Sequence, residues 1–308
     1  MNLNIGLCFM TILFLFGCQS KSSQETIPSG IADSSLQKTE AVHVQSPIEK
    51  YEFAKKKFNE NKKDPDALIW FGRRAAYLGN YEEAINIFTT GIQDHPQDAR
   101  MLRHRGHRYI STRQYDKAIV DFEKAVTLIK NQEDKIEPDG LPNSRNIPIS
   151  TLHGNIWYHL GLAHYLKNDM DNALKAFSNR TVTERYDDNI VSGGHWLYMI
   201  LSRKGQSKEA DAAIEEVDID MDIIENGIYH KMCLFYKQLI SESDLKPVDP
   251  KSSASNVYNY GMGNWYLYQK KDTIQARKYY EQLLEHGNKY SFAYLAAESD
   301  WERIFKTK

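Results

Sequence analysis

The sequence predicts an all-α solenoid, a stack of antiparallel helix pairs. Three observations lead there. First, the stretch from Pro65 to Gln132 repeats itself 34 residues apart: Gly72, Tyr81, Ala84, Ile85 and Phe88 recur as Gly106, Tyr115, Ala118, Ile119 and Phe122. A fixed period of that length marks stacked helix pairs. Second, small and large residues hold set places within the period. Third, helix-breaking signals separate the helices, at Gly79-Asn80 and at His95-Pro96. The residue before a proline avoids the α region.

Each small residue has a physical reason. Ala84 and Ala118 lie where the second helix of a pair crosses the first, and interdigitated helices need axes about 8–10 Å apart. Gly72 and Gly106 serve the same close approach on the first helix, at roughly 1 kcal/mol each in helix propensity. Phe88 and Phe122 lie one helical turn after the alanines. They fill the groove between neighbouring helices.

With these residues in place, the chain resembles the tetratricopeptide repeat family. The first unit, residues 65–98, has Leu68, Phe71, Gly72, Ala75, Gly79, Tyr81, Ala84, Phe88, Gly91 and Pro96. The second, 99–132, has Leu102, Gly106, Tyr109, Tyr115, Ala118, Phe122 and Ala125. It departs from the pattern at Arg105, where an apolar residue is usual, and at Lys130, which replaces proline. The third, 154–187, has Trp157, Leu160, Gly161, His164, Ala173 and Phe177. Two weaker copies follow: 191–217, with Leu197, Leu201, Gly205, Ala210 and Ile214, and 257–285, with Tyr260, Leu267, Ala276 and Tyr280. The resemblance implies a right-handed superhelix whose first helices line a concave groove.

The alanines locate the interruptions. Ala118 to Ala173 is one period plus 21 residues, and Ala210 to Ala276 is two periods less 2. The second gap calls for another helix pair. Residues 223–240 read as one helix of it, with Ile224, Ile228, Met232, Phe235 and Leu239 on one face; 241–255 reads as loop. The first gap, 133–152, holds prolines and an Asp139-Gly140 turn signal. A loop of this length is either a solvated surface loop or a lid or partner contact. The ends need caps, because a terminal unit exposes an apolar face. Residues 51–58, with Ala54 and Phe58, suit the N-terminal cap. Residues 291–306, with Phe292, Leu295, Ala296, Ser299 and Ile304, suit the C-terminal one.

The chain of 308 residues is expected to divide into a leader (1–17), a flexible tether (18–47) and the solenoid (48–308). Ile5 to Gly17 is an apolar run of signal-peptide length, short for a bilayer span. Leu15-Phe16-Gly17-Cys18 resembles a bacterial lipobox, although Phe16 is bulky and no Lys or Arg precedes the run. The resemblance implies a lipid on Cys18 and a bacterial envelope address. Gln19 after the cysteine favours the outer membrane, facing the periplasm. The tether is rich in Ser, Gln, Thr and Glu and lacks an apolar pattern. As a flexible chain it would span roughly 30 Å. Cys233 is then the one thiol left, read as a small buried hydrophobe.

A net charge of −2 disfavours whole-surface binding to nucleic acid. No phosphate loop, His-Glu-x-x-His or Gly-x-Ser-x-Gly motif occurs, so no enzyme and no cofactor are expected. Glu82-Glu83, Asp187-Asp188 and Glu215-Glu216 read as solvent faces or turns. Gly193-Gly194 reads as the opening of the fourth unit's first helix. By the family's groove positions, the ligand-facing residues are Trp70, Arg73, Tyr77, Arg100, Arg103, His104, His107, Tyr158, His159, His195 and Trp196. That strip suits a peptide with carboxylates and apolar anchors, since guanidinium forks bind carboxylates in paired hydrogen bonds. The family's clamp for chaperone tails needs Lys and Asn where this chain has Ile69 and Arg73, so that ligand is not implied. The expected function is a membrane-tethered scaffold that binds a partner protein or peptide. The alternative is a small-molecule or metal-handling envelope protein using the histidines.

Overall fold

Capping side chains open the helices of this all-α chain. The computed structural model describes residues 46–306 apart from 182–185, 248, 250 and 251. The expected leader, Cys18 and almost all of the expected tether lie outside the described residues. Ser46 and Glu49 form a capping box on α1 (Pro47–Glu60), so Pro47 opens a helix rather than ending the tether. Asp64 caps α2 (Pro65–Tyr77), which pairs with α3 (Tyr81–Asp94). Asp98 caps α4 (Ala99–Ser111), which pairs with α5 (Tyr115–Ile129). Thr151 caps α6 (Leu152–Leu166), which pairs with α7 (Met170–Thr181). There follow α8 (Asp187–Arg203), α9 (Ser207–Ala212), α10 (Gly227–Tyr236), α11 (Glu242–Leu245), α12 (Ser253–Tyr268), α13 (Thr273–His286) and α14 (Phe292–Trp301). Among the described residues no strand forms and no helix is long and apolar enough to cross a membrane.

Among the described residues the turns show six helix pairs. Each first helix ends with one residue in the left-handed region: Gly79, Arg113, Asn168, Gly205, Gln238 and Lys271. In the first five, the next amide bonds the carbonyl five residues back, as in Asn80 N–H to Ala75 O and Leu239 N–H to Leu234 O. This is the Schellman closure of a helix C-terminus. The pair α10/α11 therefore fills the gap the alanine spacing left. It is smaller than the sequence suggests. Its first helix spans Gly227–Tyr236 rather than 223–240, because Gln238 turns the chain and leaves Leu239 exposed. Its second is a four-residue turn inside the expected loop.

The pairs are held by a ring laid on a glycine. A Cβ on Gly72 would stand 2.5 Å from Phe88, one on Gly106 2.8 Å from Phe122, and one on Gly161 2.6 Å from Phe177. Ala84, Ala118, Ala173, Ala210 and Ala276 are fully buried. In the last pair Tyr280 lies on Gly263. Trp157 is only partly buried and packs at the edge of the core. Gly193 and Gly194 sit within α8 rather than at its start, and a Cβ on Gly194 would press on the Ala213 carbonyl at 3.2 Å.

The C-terminal helix does more than cap the last pair. α14 packs on α12 and α13 and also reaches α6. Buried Asp300 takes Arg203 at 2.9 Å and the Tyr260 hydroxyl at 2.9 Å, and the Ser299 hydroxyl donates to the Leu166 carbonyl. The preceding segment returns to the first units: Tyr290 packs edge-on against Tyr81, and Arg113 holds Glu298 at 2.8 Å.

The glycine–ring contact makes a direct prediction. Gly106→Ala forces the Phe122 ring aside and lowers unfolding free energy by about 1–3 kcal/mol. Urea denaturation of Gly106→Ala, Phe122→Leu and the double variant measures the coupling. The double variant is expected to be more stable than the sum of the single losses; strict additivity would contradict this packing.

Candidate functional site

The first helices of the first two pairs build a cationic, aromatic groove. A cleft of about 810 Å³ runs between Asp66, Trp70 and Arg73 of α2, Arg100 and His104 of α4, and the 133–138 segment of the insertion. Trp70 is flanked by guanidiniums, with Arg73 4.5 Å and Arg74 4.9 Å from its ring centre. Arg73 also donates to the Tyr77 hydroxyl at 3.3 Å and to the Pro138 carbonyl at 2.9 Å. Arg100 bridges Asp98 at 2.6 Å and Asp66 at 2.5 Å. Arg103 meets Glu137 at 3.0 Å. It donates to His104 Nδ1 at 3.0 Å, which leaves His104 Nε2–H toward Glu137 at 3.8 Å.

The histidines do not converge. His104 stacks on Phe88, at 5.4 Å between ring centres. His107 and His159 face each other at 4.5 Å, and Phe292 of α14 covers both. The Asn155 carbonyl accepts the His159 Nδ1–H at 2.6 Å, which fixes a neutral tautomer. His195 lies elsewhere, inside the core between Tyr236, Tyr229 and Trp196. Among the described residues no group of three or more His, Cys, Asp or Glu could hold a metal ion.

The second half of the expected strip divides: Tyr158 and His159 line a smaller cleft of about 250 Å³ with Arg180, Asn189 and Phe292, whereas His195 and Trp196 lie in the core. Trp196 is 1% exposed, stacked on Phe177, and donates its indole N–H to the Tyr158 hydroxyl at 2.8 Å. Tyr158 is capped on its other side by Arg180 and Phe292. His195 and Trp196 are core because α10 and α12 pack over them. Trp70, Arg73 and Arg100 line the larger cleft, and Tyr77 and Arg103 meet the insertion beside it, at Gly140 and Glu137.

Residues 71–133 match the family profile described as tetratricopeptide repeat. Human tetratricopeptide repeat protein 13 is 34% identical over 116 residues, which cover 36% of this chain and 12% of that protein. Protein bimA of Emericella nidulans is 22% identical over 152 residues, 49% of this chain and 16% of its own length. The chain thus spans less than a fifth of each of these relatives. Among solved structures, a tetratricopeptide repeat protein from Parabacteroides merdae aligns with a TM-score of 0.49 at 15% identity, covering 81% of this chain and 92% of its own. YrrB, described as a TPR protein with an unusual peptide-binding site, aligns with a TM-score of 0.44 at 16% identity, covering 82% and 99%. The similarity to tetratricopeptide repeats is thus carried by residues 71–133.

Several residues of the site escaped sequence reasoning. Glu137 sits in the insertion and is 8% exposed, yet nothing in a loop sequence tells which carboxylate will be buried. Arg105 could have been a signal. It breaks the repeat's apolar pattern and grips Asp121 with two hydrogen bonds, at 2.7 and 2.8 Å. Asp188, read as a solvent turn, is fully buried. It accepts the backbone N–H groups of Ile224, Glu225 and Asn226 at 2.7–2.8 Å, which holds the loop before α10. Its neighbour Asp187 accepts from Asp222 N–H. Cys233 is buried against the Val191 carbonyl, and burial pushes its thiol up.

The buried imidazoles couple the array's stability to pH. Burial, then nearby arginines, hold His104 and His107 well below the ordinary range. His159 is lowered likewise, its bond to the Asn155 carbonyl opposing the shift. Burial alone pushes His195 down to about 3. Unfolded, each takes a proton near pH 6.5. Below that the unfolded chain binds more protons, so these groups favour the fold above pH 6.5 and lose that contribution as pH falls toward their folded values. Each contributes at most about 1.4 kcal/mol per pH unit. Urea unfolding of wild type and His195→Asn at pH 7, 6 and 5 checks this. The variant is expected to show the shallower loss; parallel pH profiles would refute the assignment.

Proposed function

We propose that the chain is an interaction scaffold, and that the cleft between α2, α4 and the insertion holds an extended, acidic segment of a partner protein. The observation that carries this reading is the concentration of Trp70, Arg73, Arg100, Arg103 and His104 on one concave strip. Guanidiniums supply paired, charge-assisted hydrogen bonds to carboxylates. Trp70 supplies a flat apolar anchor, the residue type that most often dominates such contacts. The neutral state of His104 leaves the positive charge of the strip to the arginines, which stay charged across the accessible pH range. The metal-handling alternative has no supporting geometry, because the histidines are spread over separate neighbourhoods.

We further propose that the scaffold is tethered to a bacterial membrane through lipidated Cys18, on the periplasmic face of the outer membrane. Two or three acyl chains give stable anchoring where one gives marginal binding. The Ser/Gln-rich stretch after Cys18 would let the array reach partners near the surface.

Each half of the proposal has its own test. A fluorescein-labelled hexaglutamate peptide is titrated against wild type and Arg73→Ala/Arg100→Ala by anisotropy. Each lost charge-assisted bond costs about 1.5–3 kcal/mol, so affinity should fall at least about tenfold. Lys278→Ala, exposed on α13, should change nothing; equal affinity of all three proteins would end the groove reading. For the tether, Cys18→Ser should move the full chain from the membrane to the soluble fraction, and an unchanged membrane fraction would refute lipidation.

A further inference from the structure

The insertion between the second and third units sits where a groove ligand would sit, and it has a ligand's chemistry. Glu137 gives its carboxylate to Arg103 at 3.0 Å and accepts from the Asn155 amide. Two main-chain carbonyls follow. Pro138 O accepts from Arg73 and Gly140 O from Arg74, both at 2.9 Å. Gly140 lies so close to Tyr77 that a Cβ would fall 1.8 Å from the hydroxyl oxygen. The segment thus runs along the strip as an acid followed by free carbonyls, with a glycine where no side chain fits.

The seat is imperfect. Arg103 Nε and Asp139 Oδ2 are buried without hydrogen-bond partners. Arg108, over the Tyr81 ring at 5.4 Å, has no carboxylate partner among the described residues. Burial, with Arg103 and Arg73 nearby and Tyr81 and Tyr77 opposing, pushes its guanidinium down to about 10. Among the described residues Arg103 pairs with Glu137 and Arg73 lies near Asp139, while Arg74 bonds a main-chain carbonyl and Arg108 stands over a ring. An unpaired charge in a low-dielectric setting is costly, and a more acidic segment would compensate it better. Within residues 138–148 little apolar burial holds the insertion down, since Leu141 and Ile147 are 70% and 37% exposed; its ends are tied by buried Ile149 and by the Glu137 N–H to Ser150 O and Leu152 N–H to Lys135 O bonds. Its outer anchor, Arg145 on Asp222 at 2.7 Å, is an exposed pair of the kind that adds little.

We propose that residues 134–142 are a built-in ligand of the groove, and that the partner is an extended acidic segment that docks by displacing them. The proposal rests on the groove reading above and adds its regulation. The cis segment and the partner compete for the same guanidiniums. A competent groove populated only in part lowers apparent affinity by that fraction. Loosening the insertion raises affinity, and the displaced strand stays attached through both its ends.

The test uses the full chain and a fluorescein-labelled peptide that copies residues 133–142. Glu137→Gln removes the cis charge, and Arg145→Ala frees the outer anchor without touching the groove. Both should bind the peptide more tightly than wild type, Glu137→Gln by on the order of tenfold. Arg145→Ala keeps the test open if Glu137→Gln fails to fold. If both variants bind no more tightly than wild type, while binding still depends on Arg73, the insertion is a fixed wall. The displacement proposal is then overturned and the groove reading survives. If wild type and both variants all fail to bind, the groove reading itself falls, and the displacement proposal with it.

Discussion

The architecture depends on one contact, an aromatic ring of each second helix laid on a glycine of the first. In the first three pairs Phe88, Phe122 and Phe177 touch the backbone where Gly72, Gly106 and Gly161 have no side chain. That contact sets the helix separation, and the buried alanines one turn earlier keep it small across the crossing. Each pair then offers the next a flat, apolar surface, so the pairs stack without long-range information. The glycines are unfavourable to an isolated helix. Their presence shows that packing, rather than intrinsic propensity, decides the local structure here.

Where this contact weakens, other interactions take over. The fourth pair replaces the ring with Ile214, and its second helix shrinks to Ser207–Ala212. The fifth keeps only the left-handed turn at Gln238 and a four-residue second helix. Buried polar links appear in the same region: Asp188 holding three backbone amides, and Asp300 joining Arg203 to Tyr260 while Tyr260 meets Tyr165 at 2.6 Å. Glu242 of the short α11 collects hydroxyls from Tyr258, Tyr266 and Tyr279. Each of these groups is satisfied, which a buried carboxylate requires. Tyr258, Tyr260, Tyr266 and Tyr279 serve this purpose, filling space with the ring and pairing a carboxylate with the hydroxyl.

The sequence was most legible where one rule acted alone. The period, the alanines and the Gly79 and Pro96 breaks placed the first three pairs within a few residues, and the spacing from Ala210 to Ala276 implied a further pair. Features that arise from distant segments meeting were not legible. His195 and Trp196 occupy groove positions by count, yet they are buried because α10 and α12 pack over them. Phe292 reads as a cap residue, but it lies on His107 and His159, both more than a hundred residues earlier in the chain. Glu137 looked like any loop acid. Arg105 was visible as a break in the pattern, although its partner Asp121 could be recognised only once two helices were side by side. The insertion was left between solvated loop and lid, and its bonds to Arg73, Arg74 and Arg103 place it against the concave face.

These particulars bear on the proposal that the groove takes an anionic segment. Imidazoles on this strip could have added positive charge, but burial and the neighbouring arginines keep them neutral. They act as hydrogen-bonding wedges: His104 Nδ1 accepts from Arg103 and so helps to aim that guanidinium at Glu137. The charge itself rests on arginines, which hold it at any accessible pH. Crowding them raises the cost of leaving any one unpaired, and Arg108 is the clearest case. A strip of this kind favours its own acidic segment when alone. By the same arithmetic it favours an outside segment that brings more carboxylates. On the displacement proposal, the insertion adds stability and selectivity at once, because only a ligand able to satisfy the same guanidiniums gains enough to replace it.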